Sequence, residues 1–290
     1  MTVDLCSGLV FNCAIKLQGE RIVSSSYNSI LVEKRGQVDW LTLNRPEAMN
    51  AISVEMVREL NDYFGKLYHD RDVRVVVMRG AGKAFCAGLD IKEHGGRDPG
   101  AIPFGGGFGF QGWLADVYIK MRRCPQPIVS LVHGPACGGG FAFALASDIR
   151  IAGESARMNA AFIKIGLSSC DMGVSYFLPR LVGGSVAAEL MLTGRFIHAP
   201  RALATGLVAE VVPDAELEAA AQPWVDDLLN ASPMGLRMTK EGLNMAVDAS
   251  SLEAAMAIEN RNQLMTAGSK NFAEGMRAFI EKRKPEYTPE

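Results

Sequence analysis

The sequence predicts an α/β fold, and three features support this prediction. The runs "VRVVVMRG" (73–80), "PIVSLVHG" (127–134) and "DIRIAG" (148–153) are almost continuously apolar, which is typical of strands covered on both faces. Strand-like runs alternate with segments of helical periodicity, as in a sheet covered by helices. After Pro179 the pattern becomes mostly helical. The chain should therefore combine a strand-rich first part with a helical last third.

The first elements are predicted to be a hairpin and an amphipathic helix. The stretch "SILVEKRGQVDWLTLNRP" (29–46) is typical of two short strands around Arg35-Gly36, ended by a proline turn. From Ser53, a candidate N-cap, apolar residues recur at helical spacing to about His69. Residues 1–26 lack the pattern of a signal peptide, so we expect a short, irregular N-terminal extension there.

Two glycine-containing segments need separate interpretation. The segment 94–113, "HGGRDPGAIPFGGGFGFQGW", is so rich in glycine that we predict a loop or lid. The window 128–147 is nearly free of charge and long enough to span a bilayer, but Pro135 and four glycines interrupt it. We expect a buried strand, a turn and a helix in this window, and no contact with a membrane.

The last third is predicted to be a series of helices. Six segments have helical periodicity, and several of them begin at residues that favour helix N-termini. These segments are 185–194, 199–207, 214–230, 232–247, 251–267 and 270–283.

Composition excludes several classes of function. The chain of 290 residues is 48% apolar and 21% charged with a net charge of −2, and its one dense basic cluster, 282–284, lies beside Glu281 and Glu286. We therefore expect no nucleic-acid partner. The six cysteines are widely spaced with no C-x-x-C pair, which argues against a zinc site and a disulfide framework. We expect no metal, reduced thiols and a cytoplasmic location.

Glycine-rich motifs do not match the known nucleotide loops. In "GAGKAFCAGLD", a phosphate loop would need glycine where Val77 stands and Ser or Thr where Ala84 stands. "GPACGGG" lacks the G-x-G-x-x-G spacing of a dinucleotide site. Binding of a nucleoside triphosphate or of NAD is therefore not expected.

A thiol beside the second motif is an alternative catalytic candidate. His133 and Cys137 are four residues apart, which permits a base and a nucleophile and hence a hydrolase. The competing interpretation is that Cys137 is a small buried filler at a helix start. Neither His69 nor His198 has a partner at metal-ligand spacing.

The two glycine turns "CAGLD" and "CGGGF" can present backbone N–H groups to a ligand. Without bulky side chains, a carbonyl oxygen can approach the main chain closely, and the second turn begins a helix whose dipole favours negative charge. Together the turns could form an oxyanion hole. The alternative is that both turns are required only for packing.

Four stretches in order, "LTLNRPEAMNAIS", "VRVVVMRGAGKAFCAGLD", "QPIVSLVHGPACGGGFAFALASDIRIA" and "SYFLPRLVGGSVAAELMLTGRFI", resemble the crotonase superfamily, the enoyl-CoA hydratase/isomerase family. The resemblance covers about residues 28–290. It implies a crotonase-type spiral core of ββα units over 27–205 and a C-terminal helical trimerisation region over 206–290. It also implies a homotrimer or a dimer of trimers, that is, a hexamer.

The resemblance further implies an acyl-CoA thioester as ligand, with coenzyme A present only as part of the substrate and no other cofactor. By position, the thioester oxygen would lie between the N–H groups of Leu89 and Gly139. Phe279 and Lys282 match positions that contact the coenzyme A of a neighbouring subunit. The remaining substrate-binding positions implied are Ala87, Gly88, Asp90, Gly138, Phe141, Ala142 and Phe162.

The sequence departs from the family hydratases at both of their catalytic glutamates. The matching positions carry Ala142 and Phe162, and neither side chain can position water or transfer a proton. Glu154 lies in the turn "AGES", where a solvated surface role is expected. Efficient hydration is therefore not expected.

Asp171 is the remaining candidate acid. With one extra residue after Gly166, it falls where the dienoyl-CoA isomerases of the superfamily place an aspartate, and where a related dehalogenase places its nucleophile. Beside buried Phe162 its pKa should rise, which suits a proton shuttle. The competing interpretations are that Asp171 only caps a helix, or that the protein is a non-catalytic acyl-CoA binder. In that binder, Phe141, Phe143 and Phe162 would line an apolar slot.

Overall fold

The computed structural model describes residues 16–17, 21–24, 27–94 and 107–289, and it confirms the α/β class. An eight-stranded sheet has the order β1-β2-β3-β4-β5-β6-β8-β11, and a three-stranded sheet has the order β10-β9-β7. The strands are β1 (Lys16–Leu17), β2 (Arg21–Ser24), β3 (Ile30–Arg35), β4 (Val38–Leu43), β5 (Val75–Gly80), β6 (Ile128–Val132), β7 (Pro135–Cys137), β8 (Ile149–Gly153), β9 (Arg157–Asn159), β10 (Ile197–His198) and β11 (Glu210–Val212). The large sheet is antiparallel from β1 to β4 and parallel from β4 to β11.

Helices cover both faces of the large sheet and make up most of the last third of the chain. They are α1 (Val54–Leu67), α2 (Ile91–His94), α3 (Gly107–Arg123), α4 (Gly139–Ala146), α5 (Val174–Thr193), α6 (Ala199–Ala204), α7 (Leu217–Leu229), α8 (Pro233–Ala246), α9 (Leu252–Ala267) and α10 (Lys270–Glu281). The six helical segments predicted after Pro179 are confirmed. Of the helices in the described part of the chain, none has the length and apolar character needed to cross a membrane.

The strands are apolar throughout because a hydrophobic core lies on each side of the sheet. In β5, Val76 and Met78 belong to the larger core, whereas Val75 and Val77 belong to the smaller one. The smaller core is closed by α7, and the larger core is shared with α1, α3, α4 and α5. Successive residues of a strand point to opposite faces, so a strand buried on both faces needs an unbroken apolar run.

The predicted hairpin and first helix are confirmed. Strands β3 and β4 pair antiparallel, with Ile30 opposite Leu43 and Arg35 opposite Val38. Helix α1 begins after Ser53, whose Oγ accepts a hydrogen bond of 3.1 Å from the backbone N–H of Met56. This bond satisfies one of the N–H groups that a helix start leaves without an intrahelical partner.

Two predictions of irregular structure are wrong in part. Residues 16–17 and 21–24, expected to be irregular, form β1 and β2, which pair antiparallel with each other, and β2 also pairs antiparallel with β3. The predicted loop over 94–113 is helical at both ends, because α2 ends at His94 and α3 begins at Gly107. Buried Phe110, Leu114 and Val117 anchor α3 in the larger core, and this packing outweighs the low helix propensity of its glycines. Residues 95–106 lie outside the described part of the chain.

A buried lysine fixes α8 to the core. The ammonium group of Lys240 donates to the carbonyl oxygen of Gln126 (2.8 Å) and pairs with the carboxylate of Asp148 (2.8 Å). Arg122 donates to the same carboxylate at 3.1 Å. The last helices are therefore tied to the parallel sheet through one carboxylate at the start of β8.

Replacement of this lysine should destabilise the fold strongly. Lys240→Met removes the buried partner of Asp148, whose side chain is 20% exposed and keeps its bond from Arg122, and we expect the free energy of unfolding to fall by about 2–3 kcal/mol. Lys66→Met is the matched control, because the Lys66 side chain is 71% exposed and pairs with Asp62 at the surface. Its loss should cost less than about 1 kcal/mol. Urea unfolding of both variants measures the difference, and equal losses would contradict the role given to Lys240.

Candidate functional site

Two glycine turns lie side by side, and Cys86 and Phe141 at their ends belong to the larger hydrophobic core. The first glycine turn comprises residues 86–90, and the second comprises residues 137–141. Cys86 bridges to Ala136 in parallel: its N–H donates to the carbonyl of Pro135 (3.1 Å), and its carbonyl accepts from the N–H of Cys137 (2.9 Å). The relative position of the two turns is therefore fixed by backbone hydrogen bonds.

Some backbone N–H groups of the two turns are used internally, and others are not. The N–H groups of Ala87, Asp90 and Gly138 donate to carbonyl oxygens of neighbouring segments. Between described residues, no hydrogen bond is donated by the N–H of Leu89 or of Gly139. Gly140 and Phe141, which follow Gly139 in the first turn of α4, also donate to no backbone carbonyl among the described residues. Each turn thus retains at least one backbone donor for another acceptor, Leu89 in the first and Gly139 in the second.

The local geometry explains why these two donors are unused. Leu89 forms a parallel bridge with Ile52. In this bridge, the N–H of Ile52 donates to the carbonyl of Gly88, and the carbonyl of Ile52 accepts from the N–H of Asp90. The N–H of Leu89 is therefore directed away from Ile52. Gly139 is the first residue of α4, and an N–H at this position has no intrahelical acceptor. In addition, the N-terminal end of α4 carries a partial positive charge.

The close approach of the turns requires glycine. A Cβ on Gly88, whose φ is +96°, would lie 2.7 Å from the carbonyl oxygen of Cys137. A Cβ on Gly139 would lie 2.6 Å from Cδ1 of Ile52, and one on Gly140 would overlap the carbonyl oxygen of Cys86. Backbone contacts therefore demand glycine at positions 88 and 140, whereas a Cβ on Gly139 would meet the ends of side chains. These contacts do not account for the unused N–H groups.

Apolar side chains surround the second glycine turn. The Phe162 ring, in the 3-10 helix Ala161–Ile165, comes within 3.5 Å of where a Cβ of Gly138 would lie. Ala142, Phe141 and Phe143 are fully buried, and Phe143 stacks on Tyr118 with ring centroids 4.9 Å apart. Phe141 and Phe143 are thus core residues, and of the three phenylalanines predicted to line a slot, Phe162 has a described contact with the turn.

Asp171 is half-buried just before α5 and does not cap that helix. The N-cap of α5 is Gly173, and no side chain donates or accepts a capping bond there, so the predicted capping role is wrong. The Asp171 Oδ1 accepts a hydrogen bond of 2.8 Å from the N–H of Met172 and a second one from the side-chain amide of Gln111. Burial raises the pKa of Asp171 from its ordinary value, against the lowering effect of these two donors.

A short chain of contacts connects Asp171 to the second glycine turn. The hydroxyl of Tyr118 donates to the carbonyl oxygen of Gly139 (3.1 Å) and lies 3.1 Å from Sδ of Met172. Burial raises the pKa of Tyr118 well above its ordinary value, and the electrostatic interactions with Cys86 and Asp171 raise it further. The structure therefore brings the acid and the glycine turns together.

Sequence reasoning missed two residues of this site, Gln111 and Tyr118. Both are on α3, seven residues apart, which places them on one helix face. The available signal was the helical spacing of Phe110, Leu114 and Val117, but the surrounding glycines favoured a loop.

Asp90 supports the first glycine turn. Its carboxylate pairs with Arg45 at 3.0 Å and accepts from the N–H of Glu93 at 3.2 Å. Burial works to raise the pKa of Asp90, but the hydrogen bonds from Arg45 and from the following backbone lower it overall. The charged carboxylate thus holds the end of the turn in place.

The thiols near the turns are poorly suited to nucleophilic catalysis. Cys86, Cys124, Cys137 and Cys170 are free thiols. Burial raises the pKa of Cys137, and it raises the pKa of Cys86 to about 12, so both remain protonated. The ring of His133 contacts the carbonyl of Gly82 at 2.9 Å, and within the described ranges no hydrogen bond joins it to Cys137. The arrangement gives no support to the hydrolase alternative.

Phe279 and Lys282 lie at the end of α10. The Phe279 side chain is 83% exposed, and Lys282 ends the helix in a left-handed conformation with φ 55°. Their predicted contact with a neighbouring subunit remains a prediction. In the portion of the chain that the structure describes, no group of three or more His, Cys, Asp or Glu side chains could hold a metal ion.

Comparison with known proteins gives consistent matches over nearly the whole chain. The family model described as "Enoyl-CoA hydratase/isomerase" matches residues 33–290. "Probable enoyl-CoA hydratase EchA12" of Mycobacterium tuberculosis is 39% identical over 276 residues, which cover 91% of this chain and 94% of that protein. "1,2-epoxyphenylacetyl-CoA isomerase" of Escherichia coli is 33% identical over 248 residues, which cover 86% and 94%.

Solved structures agree with these matches. The crystal structure of an enoyl-CoA hydratase from Bacillus anthracis has a TM-score of 0.85 and 31% identity, over 91% of this chain and 100% of that one. This chain belongs to the enoyl-CoA hydratase/isomerase family and has the mixed α/β crotonase fold.

Proposed function

We propose that this protein binds an acyl-CoA thioester between the two glycine turns and catalyses an isomerisation through an enolate. The observation that carries the proposal is the pair of unused N–H groups, Leu89 and Gly139, in turns that are hydrogen-bonded to each other. A thioester carbonyl oxygen placed between them would accept both hydrogen bonds. As the α-carbon loses a proton, negative charge develops on this oxygen, and fixed donors stabilise that charge more than the neutral carbonyl.

Asp171 would move the proton. In a 3-enoyl thioester, its carboxylate would remove a proton from the α-carbon to give a dienolate with its charge on the thioester oxygen. The protonated Asp171 would then return the proton to the γ-carbon, giving the 2-enoyl thioester and restoring the carboxylate. The raised pKa of Asp171 suits both steps, because it brings the base closer to the pH of the cell.

The same residues argue against efficient hydration. Hydration needs one group to activate water and another to deliver a proton, and Ala142 and Phe162, which stand at the positions of the family glutamates, can do neither. Isomerisation needs a single shuttling acid. The Escherichia coli relative is named an isomerase, whereas the mycobacterial relative is named a hydratase, so the names of relatives permit both reactions.

We also propose that residues 206–290 form the subunit interface of a homotrimer, within a trimer or a hexamer. Helices α8, α9 and α10 present large apolar side chains to solvent, which is unusual for the surface of a monomer. Phe279 and Lys282 would then reach the coenzyme A of a neighbouring subunit. The most exposed of these side chains are Leu243 (63%), Leu252 (70%), Leu264 (77%), Phe279 (83%) and Ile280 (72%).

One experiment separates the proposed function from its alternatives. The purified protein is incubated in D₂O with crotonyl-CoA, trans-3-hexenoyl-CoA and hexanoyl-CoA, and the products are analysed by mass spectrometry. We expect trans-3-hexenoyl-CoA to shift its double bond to the 2-position, with carbon-bound deuterium to the extent that the proton on Asp171 exchanges with solvent before its return, and with little addition of water to crotonyl-CoA.

Each of the other outcomes would assign a different function to this protein. Rapid addition of water to crotonyl-CoA would make it a hydratase in spite of Ala142 and Phe162. Release of free coenzyme A would favour a hydrolase. Retention of the thioesters in native mass spectra, without conversion or deuterium exchange, would favour the non-catalytic acyl-CoA binder.

A further inference from the structure

We propose that Gln111 is a positioning residue for Asp171: it holds the carboxyl group so that Oδ2, not Oδ1, takes and returns the proton. The inference rests on the proposed function, and it adds a role for a residue on α3. Its basis is the asymmetric hydrogen bonding of the Asp171 carboxyl group.

The two oxygens of this carboxyl group have different surroundings. The Oδ1 atom accepts from the N–H of Met172 at 2.8 Å and from the Nε2 amide of Gln111. No donor among the described residues bonds to Oδ2. An oxygen that accepts two hydrogen bonds is a weaker base than its partner, because both donors stabilise its negative charge. Proton transfer should therefore pass through Oδ2.

One donor alone would not fix the carboxyl plane. Met172 has φ 49°, a left-handed conformation that is uncommon for a residue with a side chain, and its N–H is the donor adjacent to Asp171. The torsion between Cβ and the carboxyl group is broad, so a single bond leaves the plane free to turn. The Gln111 amide supplies a second anchor from a different element.

The helix that carries Gln111 is itself held on both sides. The side-chain amide of Asn61 on α1 donates to the carbonyl of Trp113 at 3.0 Å, and Tyr118 donates to the carbonyl of Gly139 at 3.1 Å. Helix α3 therefore spans from α1 to the second glycine turn. Through Gln111 and Tyr118, one rigid helix sets the acid and the turn relative to each other.

Few titratable groups face Asp171, so the effect of Gln111 can be measured. Tyr118 on α3 is buried, and its raised pKa keeps it neutral. Cys170, the preceding residue, is an exposed thiol. In the described part of the chain, the pKa of Asp171 responds to burial and to the donors Met172 and Gln111, and no charged side chain contributes.

The test is Gln111→Met, which keeps the length of the side chain and removes the donor. With trans-3-hexenoyl-CoA as substrate, we expect kcat to fall by about tenfold, since a hydrogen bond to a charged group is lost, while KM changes by less than about threefold. The donor stabilises the carboxylate, so its removal should raise the pKa of Asp171. The acidic limb of the kcat/KM profile should accordingly move to higher pH.

Two controls separate a specific effect of Gln111 on Asp171 from a general change in α3 or in stability. Tyr118→Phe removes the other α3 contact and should leave the acidic limb in place, because Tyr118 does not bond to Asp171. Gln111 is exposed, so its replacement should change the stability by less than about 0.5 kcal/mol, which a thermal melt checks. An unmoved acidic limb in Gln111→Met, while Asp171→Asn is inactive, would overturn this inference and leave the proposed function intact. An Asp171→Asn variant as active as the wild type would overturn both.

Discussion

Asp171→Asn is expected to lower kcat for the isomerisation of trans-3-hexenoyl-CoA by about 10²- to 10⁴-fold, the usual contribution of a general acid–base group. Asparagine has the same shape, and its carbonyl oxygen can still accept from Met172 and Gln111. The site should therefore keep its structure and lose only its capacity to take up a proton. KM should change by less than about threefold.

The matched control is Asp116→Asn on α3. Asp116 pairs with Lys120 one turn along the same helix, at 2.8 Å, and both side chains are partly exposed. Loss of this surface pair should leave kcat within about twofold of the wild type. Turnover by Asp171→Asn at the wild-type rate would remove Asp171 from the mechanism.

The pH dependence follows from the same residue. Asp171 acts as a base in its charged form, and burial raises its pKa above the ordinary value for aspartate. Activity should therefore be lost as the pH falls through this raised pKa, at a higher pH than for an exposed aspartate.

Gly139→Ala should have the second largest effect. The new methyl group would lie 2.6 Å from Cδ1 of Ile52, 2.9 Å from Sδ of Met172 and 3.0 Å from the hydroxyl of Tyr118. These side-chain ends lie in a closely packed core, so part of the overlap should be relieved by a shift of the turn, which would turn its N–H away from the thioester oxygen. Loss of one oxyanion donor costs about 10²- to 10³-fold in kcat.

The control for this substitution is Gly65→Ala on α1, where a Cβ would meet nothing within 4 Å. Alanine favours a helix over glycine by about 1 kcal/mol, so this variant should be fully active and slightly more stable. Circular dichroism and a thermal melt establish that Gly139→Ala is folded at the assay temperature. Near-wild-type turnover by a folded Gly139→Ala would show that this N–H does not contribute to catalysis.

The core of the fold could be predicted because its signals are local. Strand β5 is a continuous apolar run because it is buried on both faces, and α1 has both an apolar stripe and an N-cap, Ser53. Strand β2 could not be predicted in the same way. This strand forms because it pairs with the edge of β3, and the sequence of β2 alone does not reveal that pairing.

The parts of the site that could be predicted are those whose residues lie within one short segment of the sequence. The glycine turns are visible because glycine is needed wherever backbone segments approach closely. The contact between Gln111 and Asp171 joins residues 60 positions apart, and it depends on how α3 lies against the segment that precedes α5. The glycine-rich sequence at the start of α3 predicted a loop, so Gln111, which bonds to Asp171, was not among the candidate site residues.

The central claim is that the N–H groups of Leu89 and Gly139 polarise a thioester carbonyl. Difference infrared spectroscopy of crotonyl-CoA labelled with ¹³C at the carbonyl measures this directly, because hydrogen bonds to the oxygen weaken the C=O bond. We predict that the carbonyl band moves to lower frequency on binding than in buffer, and that Gly139→Ala loses most of this shift. A bound thioester whose carbonyl absorbs at the same frequency as in buffer would contradict the account.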